Sequence, residues 1–163
     1  MAKLVLFGMG EIAQIAKQYF EDDSEHEVVA FTLDKEYIST DSYETLPLVA
    51  FDEIGNHYPP SEYKMFIALS YTDMNGLRER KYHEAKDKGY ELVSYISSKC
   101  SYLSKYACGD NCFIFEDNTI QPFVKIGDNV TLWSGNHIGH HSEIQSHNFV
   151  SSHVVISGSC TIE

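Results

Sequence analysis

Five of the chain's eight histidines fall between positions 137 and 153: His137, His140, His141, His147 and His153. An imidazole titrates near neutral pH, so it can take a proton from an attacking amine or hydroxyl, and it can also ligate zinc. A second stretch with chemistry in it is Gly8-Met9-Gly10-Glu11-Ile12-Ala13. Glycines at such a turn let the backbone approach a phosphate, and a helix starting there offers N–H donors to the anion. Asp34 closes a later apolar run and is placed to accept hydrogen bonds from a ribose or a base. The turn is G-x-G-x-x-A, with Ala13 in place of a third glycine. Glu11 suits the helix dipole but repels a phosphate set too close. The same pattern also describes a tight strand–helix turn that binds nothing.

The histidines are positioned by a repeat. Set in sixes from Ile114, the chain has an aliphatic residue at every first position: Ile114, Ile120, Ile126, Leu132, Ile138, Ile144, Val150, Ile156 and Ile162. Small or medium residues fill every fifth: Asn118, Val124, Val130, Asn136, Ser142, Asn148, Val154 and Cys160. This is neither a helical period nor plain alternation; it is the hexapeptide signature of a parallel β-helix. Three sixes make one turn of a three-sided coil of about 18 residues, so residues that far apart stack. The expected stacks are Ile96-Ile114-Leu132-Val150, Tyr102-Ile120-Ile138-Ile156 and Cys108-Ile126-Ile144-Ile162. Asn118 and Asn136 superpose at an inward position, where amides can hydrogen-bond between coils. His140 takes the third position, just after inward Ile138, so its side chain projects from the coil. His147 and His153 read as solvated surface positions.

The glycine turn is positioned by alternating elements. Lys3–Phe7 reads as a buried strand and a helix follows, with Ile12, Ile15, Ala16 and Tyr19 on one face. Val28–Leu33 is a second strand, ending at Asp34. Residues 37–60 read as a short strand plus loops. Lys64–Ser70 is another strand, and a helix spans roughly 72–88, with Thr72 or Asp73 as N-cap and Gly89 as its stop. Arg78, Arg80 and Lys81 on that helix read as a solvated face. Glu91–Tyr95 reads as a last strand. The alternation implies a small parallel sheet covered by helices.

Composition excludes some classes. The 163 residues are 43% hydrophobic and 22% charged, enough to bury a core in a soluble chain. A net charge of −12 argues against a nucleic-acid surface. No apolar run has the span of a transmembrane helix, and the start lacks the pattern of a secretory signal, so a cytoplasmic protein without membrane insertion is expected. A disulfide framework is then not expected of Cys100, Cys108, Cys112 and Cys160. Cys108 and Cys112 are spaced like half a zinc site, but no second pair follows. The cysteines read as small buried residues, with no metal.

The whole chain resembles the two-domain bacterial sugar acetyltransferases of the sialic acid O-acetyltransferase type, which include nucleotide-amino-sugar N-acetyltransferases. The likeness lies in Leu4-Val5-Leu6-Phe7-Gly8-Met9-Gly10, Phe31-Thr32-Leu33-Asp34, Phe66-Ile67-Ala68-Leu69 and the repeat from Ile114. It implies a Rossmann-like α/β domain over 1–95, then a left-handed parallel β-helix over 96–163. It also implies a homotrimer using acetyl-CoA as acyl donor, with Gly8, Gly10 and Asp34 on the nucleotide of an activated sugar. The expected reaction is acetyl transfer to the amino group of a nucleotide-linked amino sugar, for surface-polysaccharide or glycan biosynthesis. In the family the general base is a histidine at the position of His140, and backbone N–H groups of the coil could stabilise the oxyanion.

The sequence departs from that family at several points. An acid usually follows the base; here His141 stands there, the candidate orienting partner, although a neutral imidazole does not support a charged His140 as an acid does and a charged one repels it. Lys35 follows Asp34, where a second acid is common. Trp133 occupies a place often polar. Ile162-Glu163 opens a new six, so the β-helix is expected to be truncated and the chain a fragment lacking part of its acetyl-CoA site. Three other readings stand beside the first. One is O-acetylation of sialic acid. Another is a γ-carbonic-anhydrase-like hydratase with His137, His140 and His141 on zinc. The last is a non-catalytic β-helix scaffold.

Overall fold

Apolar runs form the strands of a largely parallel sheet, and the most continuous of them are covered on both faces. The strands are β1 (Lys3–Phe7), β2 (Glu27–Leu33), β4 (Leu46–Ala50) and β5 (Tyr63–Ile67), all parallel, with the short β3 (Ser42–Tyr43) antiparallel at the edge. The computed structural model describes residues 1–163, and these fall into two units, Met1–Val93 and Ser94–Glu163. In the first unit the sheet order is β3-β4-β2-β1-β5. Glu44 and Thr45 join β3 to β4 with φ of 47° and 66°, the pair of left-handed residues a type I′ hairpin turn requires. The helices are α1 (Glu11–Asp22), α2 (Ile54–His57) and α3 (Gly76–Asp87). None is long and apolar enough to cross a membrane.

This unit differs from expectation in several details, and residues 37–60 hold a hairpin and α2 rather than one short strand plus loops. The fully buried face of α1 is Ala13, Ala16 and Phe20, while Ile12, Ile15 and Tyr19 are only half-buried. The small alanines let the helix lie close to the sheet. α3 starts at Gly76, later than expected, because Asp73, Met74 and Asn75 are all left-handed, with φ of 57°, 48° and 68°. Its end is as expected: Gly89 has φ 90°, and its N–H caps the Lys86 carbonyl. The stretch 91–95 is not one strand. Leu92 makes a single bridge to Met65, and Tyr95-Ile96 pair instead with Phe113-Ile114.

The second unit follows the six-residue register, in three parallel sheets of two-residue strands consistent with a left-handed β-helix. Ile96, Ile114, Leu132 and Val150 pair in one column, and Tyr102, Ile120, Ile138 and Ile156 in another. Ile126, Ile144 and Ile162 form the third, which Cys108 meets without a strand of its own. First positions from Ile114 to Ile144 are no more than 5% exposed. Each such side chain withdrawn from water contributes about 1.5–3 kcal/mol. All four cysteines are free; Cys112 is fully buried and the others half-buried.

Corners are made by the fourth and fifth positions. The fourth is left-handed at Asn111, Asp117, Phe123, Asn129, Gly135, His141, His147, His153 and Ser159, with φ between 52° and 76°. At the fifth, polar side chains bind the backbone of the next coil. Ser142 Oγ donates to the Ser157 carbonyl at 2.8 Å and accepts from the Cys160 N–H at 3.1 Å. Asn118 donates to the Trp133 and Phe115 carbonyls, both at 2.9 Å, and its Oδ1 accepts from the Asn136 N–H at 3.2 Å. Asn136 Oδ1 accepts in turn from Val154 N–H at 2.8 Å. The two asparagines do stack inward, but each amide bonds backbone rather than the other amide.

Asn118 is fully buried, so its removal leaves a carbonyl and an N–H unsatisfied. Asn118→Ala is expected to cost about 3 kcal/mol in urea unfolding. Asn148 is half-buried, with bonds of 3.0 and 3.5 Å, and Asn148→Ala is expected to cost under about 1 kcal/mol. Equal losses would show that these corner bonds do not carry the difference.

Candidate functional site

His140 is exposed at the third position of its six, as the register requires. The turn one coil below, Gln121-Pro122-Phe123, holds it and its neighbour. Gln121 Oε1 accepts from the His140 backbone N–H at 2.9 Å, and the Pro122 carbonyl accepts from His141 N–H at 3.3 Å. The Phe123 ring stacks on the His141 ring at 4.6 Å and 27°. One coil above, the Ser159 N–H donates to the His140 carbonyl at 2.8 Å. Gly158 lies against the imidazole itself. A Cβ at that glycine would stand 2.8 Å from His140 Cε1 and Nε2.

The two histidines meet nitrogen to nitrogen, with Nδ1 of His140 3.1 Å from Nδ1 of His141 and the rings near perpendicular at 88°. Two neutral imidazoles make such a bond only if one carries its proton on Nδ1. With that proton on His140, its Nε2 keeps a lone pair, the form a general base needs. His141 then accepts from His140, as a carboxylate would.

The remaining histidines separate from this pair. His147 differs from the solvated position expected of it. It is half-buried, with Nδ1 2.9 Å from Asn129 Nδ2, and Asn129 Oδ1 accepts from Asn111 Nδ2 at 2.8 Å. That column of fourth-position side chains is an amide ladder ending in an imidazole. His153 is exposed, and its ring lies over Gly135 of the coil below. His137 lies on a strand paired to Thr119 and Val155, half-buried.

In the first unit the glycine turn sits at the carboxyl end of β1. Gly8 has φ 136°, and a Cβ there would come 2.5 Å from the Ala68 carbonyl oxygen and 3.5 Å from the Ala13 methyl. Only glycine fits between β5 and α1 at that point. Gly10 caps α1 with no side-chain bond to the helix, and a Cβ added to it would meet open space. Asp34, at the end of β2, is not a lone acceptor. Its Oδ1 accepts from Lys81 Nζ at 2.7 Å, and Lys81 also donates to Glu84 Oε2 at 2.7 Å. The ammonium lies 5.5 Å from the Phe7 and Phe51 ring centroids.

The expectation of a solvated face for Arg78 and Lys81 is therefore overturned. The Lys81 side chain is 10% exposed, and Arg78 is 1% exposed, with Nε donating to the Ile67 carbonyl at 3.4 Å. Arg80 is exposed as expected. Sequence reasoning missed Lys81 because its partner Asp34 is 47 residues away. It also missed Gln121 and Gly158, although the register itself places both next to His140.

Residues 108–140 match the family described as "Bacterial transferase hexapeptide (six repeats)". No curated protein sequence matches the chain. Solved structures do. The acetyltransferase domain of PglB from Neisseria gonorrhoeae superposes with TM-score 0.72 at 13% identity, over 93% of this chain and 72% of that one. The same domain in complex with acetyl coenzyme A gives 0.71 at 12% identity, over 98% and 92%. A histidine-to-asparagine variant of perosamine N-acetyltransferase from Caulobacter crescentus, in complex with CoA and GDP-perosamine, gives 0.72 at 18% identity, over 99% and 82%. At these identities the likeness is one of fold.

Lys81 supplies a test of the Asp34 cluster. Burial pushes its pKa down, but the hydrogen bonds and charges of Asp34 and Glu84 push it up further, so the net direction is upward. A folded-state value above the unfolded one stabilises fully below the ordinary lysine range, and that stability is lost as pH rises through the folded value. Lys81→Met is expected to cost about 1–3 kcal/mol at neutral pH in urea unfolding. The gap from wild type is expected to narrow above about pH 10.5. A gap constant with pH would mean that packing, not charge, sets the cost.

Proposed function

We propose that this protein is an acetyltransferase that moves the acetyl group of acetyl-CoA onto the amino group of a nucleotide-linked amino sugar. One observation carries the reading: an exposed imidazole, His140, whose Nδ1 is tied to His141 and whose ring faces the space left by Gly158. The fold likeness to an N-acetyltransferase solved with CoA and GDP-perosamine, and to an acetyltransferase domain solved with acetyl coenzyme A, supports the choice of donor and acceptor.

In this mechanism His140 Nε2 accepts a proton from the sugar amine as the amine nitrogen bonds to the thioester carbonyl carbon. The carbon–sulfur bond then breaks, and His140 returns the proton to the departing thiolate, leaving an amide and free CoA. His141 holds the reactive tautomer from the other side of the ring. Coil backbone N–H groups are the candidate donors to the carbonyl oxygen.

We read the first unit as Rossmann-like and as the holder of the nucleotide. In the order β4-β2-β1-β5 the chain leaves β1 on one side to β2 and returns on the other at β5, and ligands of such sheets lie at the carboxyl ends beside that reversal. Gly8 and Gly10 stand there. Asp34 retains 28% side-chain exposure, with Lys81 taking only Oδ1. A homotrimer belongs to the same reading.

The test is thiol release from acetyl-CoA with UDP-, dTDP- and GDP-linked 4-amino-4,6-dideoxy sugars and with free sialic acid. Release with at least one nucleotide-linked amino sugar is expected; release with sialic acid alone would move the chemistry to O-acetylation. His140→Ala is expected to lower kcat about 10²- to 10⁴-fold with sugar-nucleotide binding kept, and full turnover in that variant would sink the mechanism. Gly158→Ala is expected to push the imidazole aside and lower kcat about tenfold with little change in KM.

A further inference from the structure

The fourth position of each six is left-handed, and between 111 and 159 it is filled by Asn, Asp, Gly, His or Ser except once. Asn, Asp, His and Gly are the residues enriched in that region. The exception is Phe123, with φ 68° and 51% of its surface exposed. A bulky residue there is strained, and strain of this kind persists where surrounding structure holds it for a purpose. Phe123 also gains little from burial.

What Phe123 does touch is His141. The rings stack at 4.6 Å and 27°, while His141 meets His140 edge-on at 88° through Nδ1. His141 is itself exposed and has no carboxylate to set its plane. Left alone, such an imidazole rotates about its side-chain torsions, and the bond between the two Nδ1 atoms is lost. We propose that Phe123 is a positioning residue: its ring fixes the plane of His141, and through His141 it keeps the proton of His140 on Nδ1. The column register makes this specific, because position 123 is the one directly below 141. Pro122, whose carbonyl accepts from His141 N–H at 3.3 Å, fixes the chain just before the phenylalanine. This rests on the reading of His140 as the base.

The test uses Phe123→Gly, which suits φ 68° and removes the ring together with its Cβ, alongside Phe123→Tyr, which keeps both. Phe123→Gly is expected to unfold at the same or higher denaturant concentration than wild type and to lower kcat about tenfold, with both KM values unchanged. Phe123→Tyr is expected to keep the wild-type rate. Because Phe123 acts through His141, Phe123→Gly is expected to have no further effect in a His141→Ala background. Imidazole nitrogen chemical shifts are expected to show less Nδ1-protonated His140 in Phe123→Gly. Wild-type kcat in Phe123→Gly, or a full additional loss in the His141→Ala background, overturns the inference while leaving His140 as the base. Wild-type turnover in His140→Ala overturns the base reading instead, and the nitrogen shifts then still decide whether Phe123 sets the tautomer.

Discussion

Everything in residues 94–163 depends on one constraint, the vertical register that sets each residue on the one a full coil below it. The backbone enforces it. The His137 N–H donates to the Val154 carbonyl, Thr119 to Asn136 and Phe113 to Val130, each bond joining neighbouring coils. Side chains then have no choice of neighbour. Aliphatic first positions make dry columns, and fifth-position hydroxyls and amides satisfy the corner backbone that those columns bury. Burial supplies the larger favourable sum. The corner bonds matter through their absence, since a buried carbonyl or N–H without a partner costs more than the bond itself contributes.

The same register builds the site around His140. Gln121, Pro122 and Phe123 lie below it, and Gly158 and Ser159 above. None of these is near it in sequence, yet all belong to the same corner. The imidazole is therefore held by backbone that the fold has already made rigid, which suits a group whose usefulness depends on orientation.

The columns were legible before any coordinates because a six-residue period is a covalent fact, and stacking at three periods follows from geometry. The outward direction of His140 followed in the same way. What a period does not encode is the torsion angle at each position. The left-handed fourth position accounts for His141, His147 and His153 at once, since histidine tolerates that region. Read as a solvated surface residue, His147 hid the ladder that runs to it from Asn111. In the first unit the long parallel strands were legible from apolar runs, but β3 and the break in 91–95 were not, and the start of α3 was hidden behind three left-handed residues. Lys81 looked solvated because nothing local tells a lysine that Asp34 and two aromatic rings will join its helix neighbour Glu84 around it. Charge burial is a property of the tertiary partner, not of the helix that carries the charge.

The fixed length of each coil bears on how such a chain can change over generations. In the first unit, a residue added to the turn between Glu44 and Thr45 alters only that turn. In the coils, a single inserted codon before Ile138 would move every later isoleucine off its column and shift His140 from the third position of its six to the fourth. A duplication of one whole turn would leave all the columns intact. Residues can be exchanged one at a time within this scaffold, but length can be added without loss of register only in complete coils.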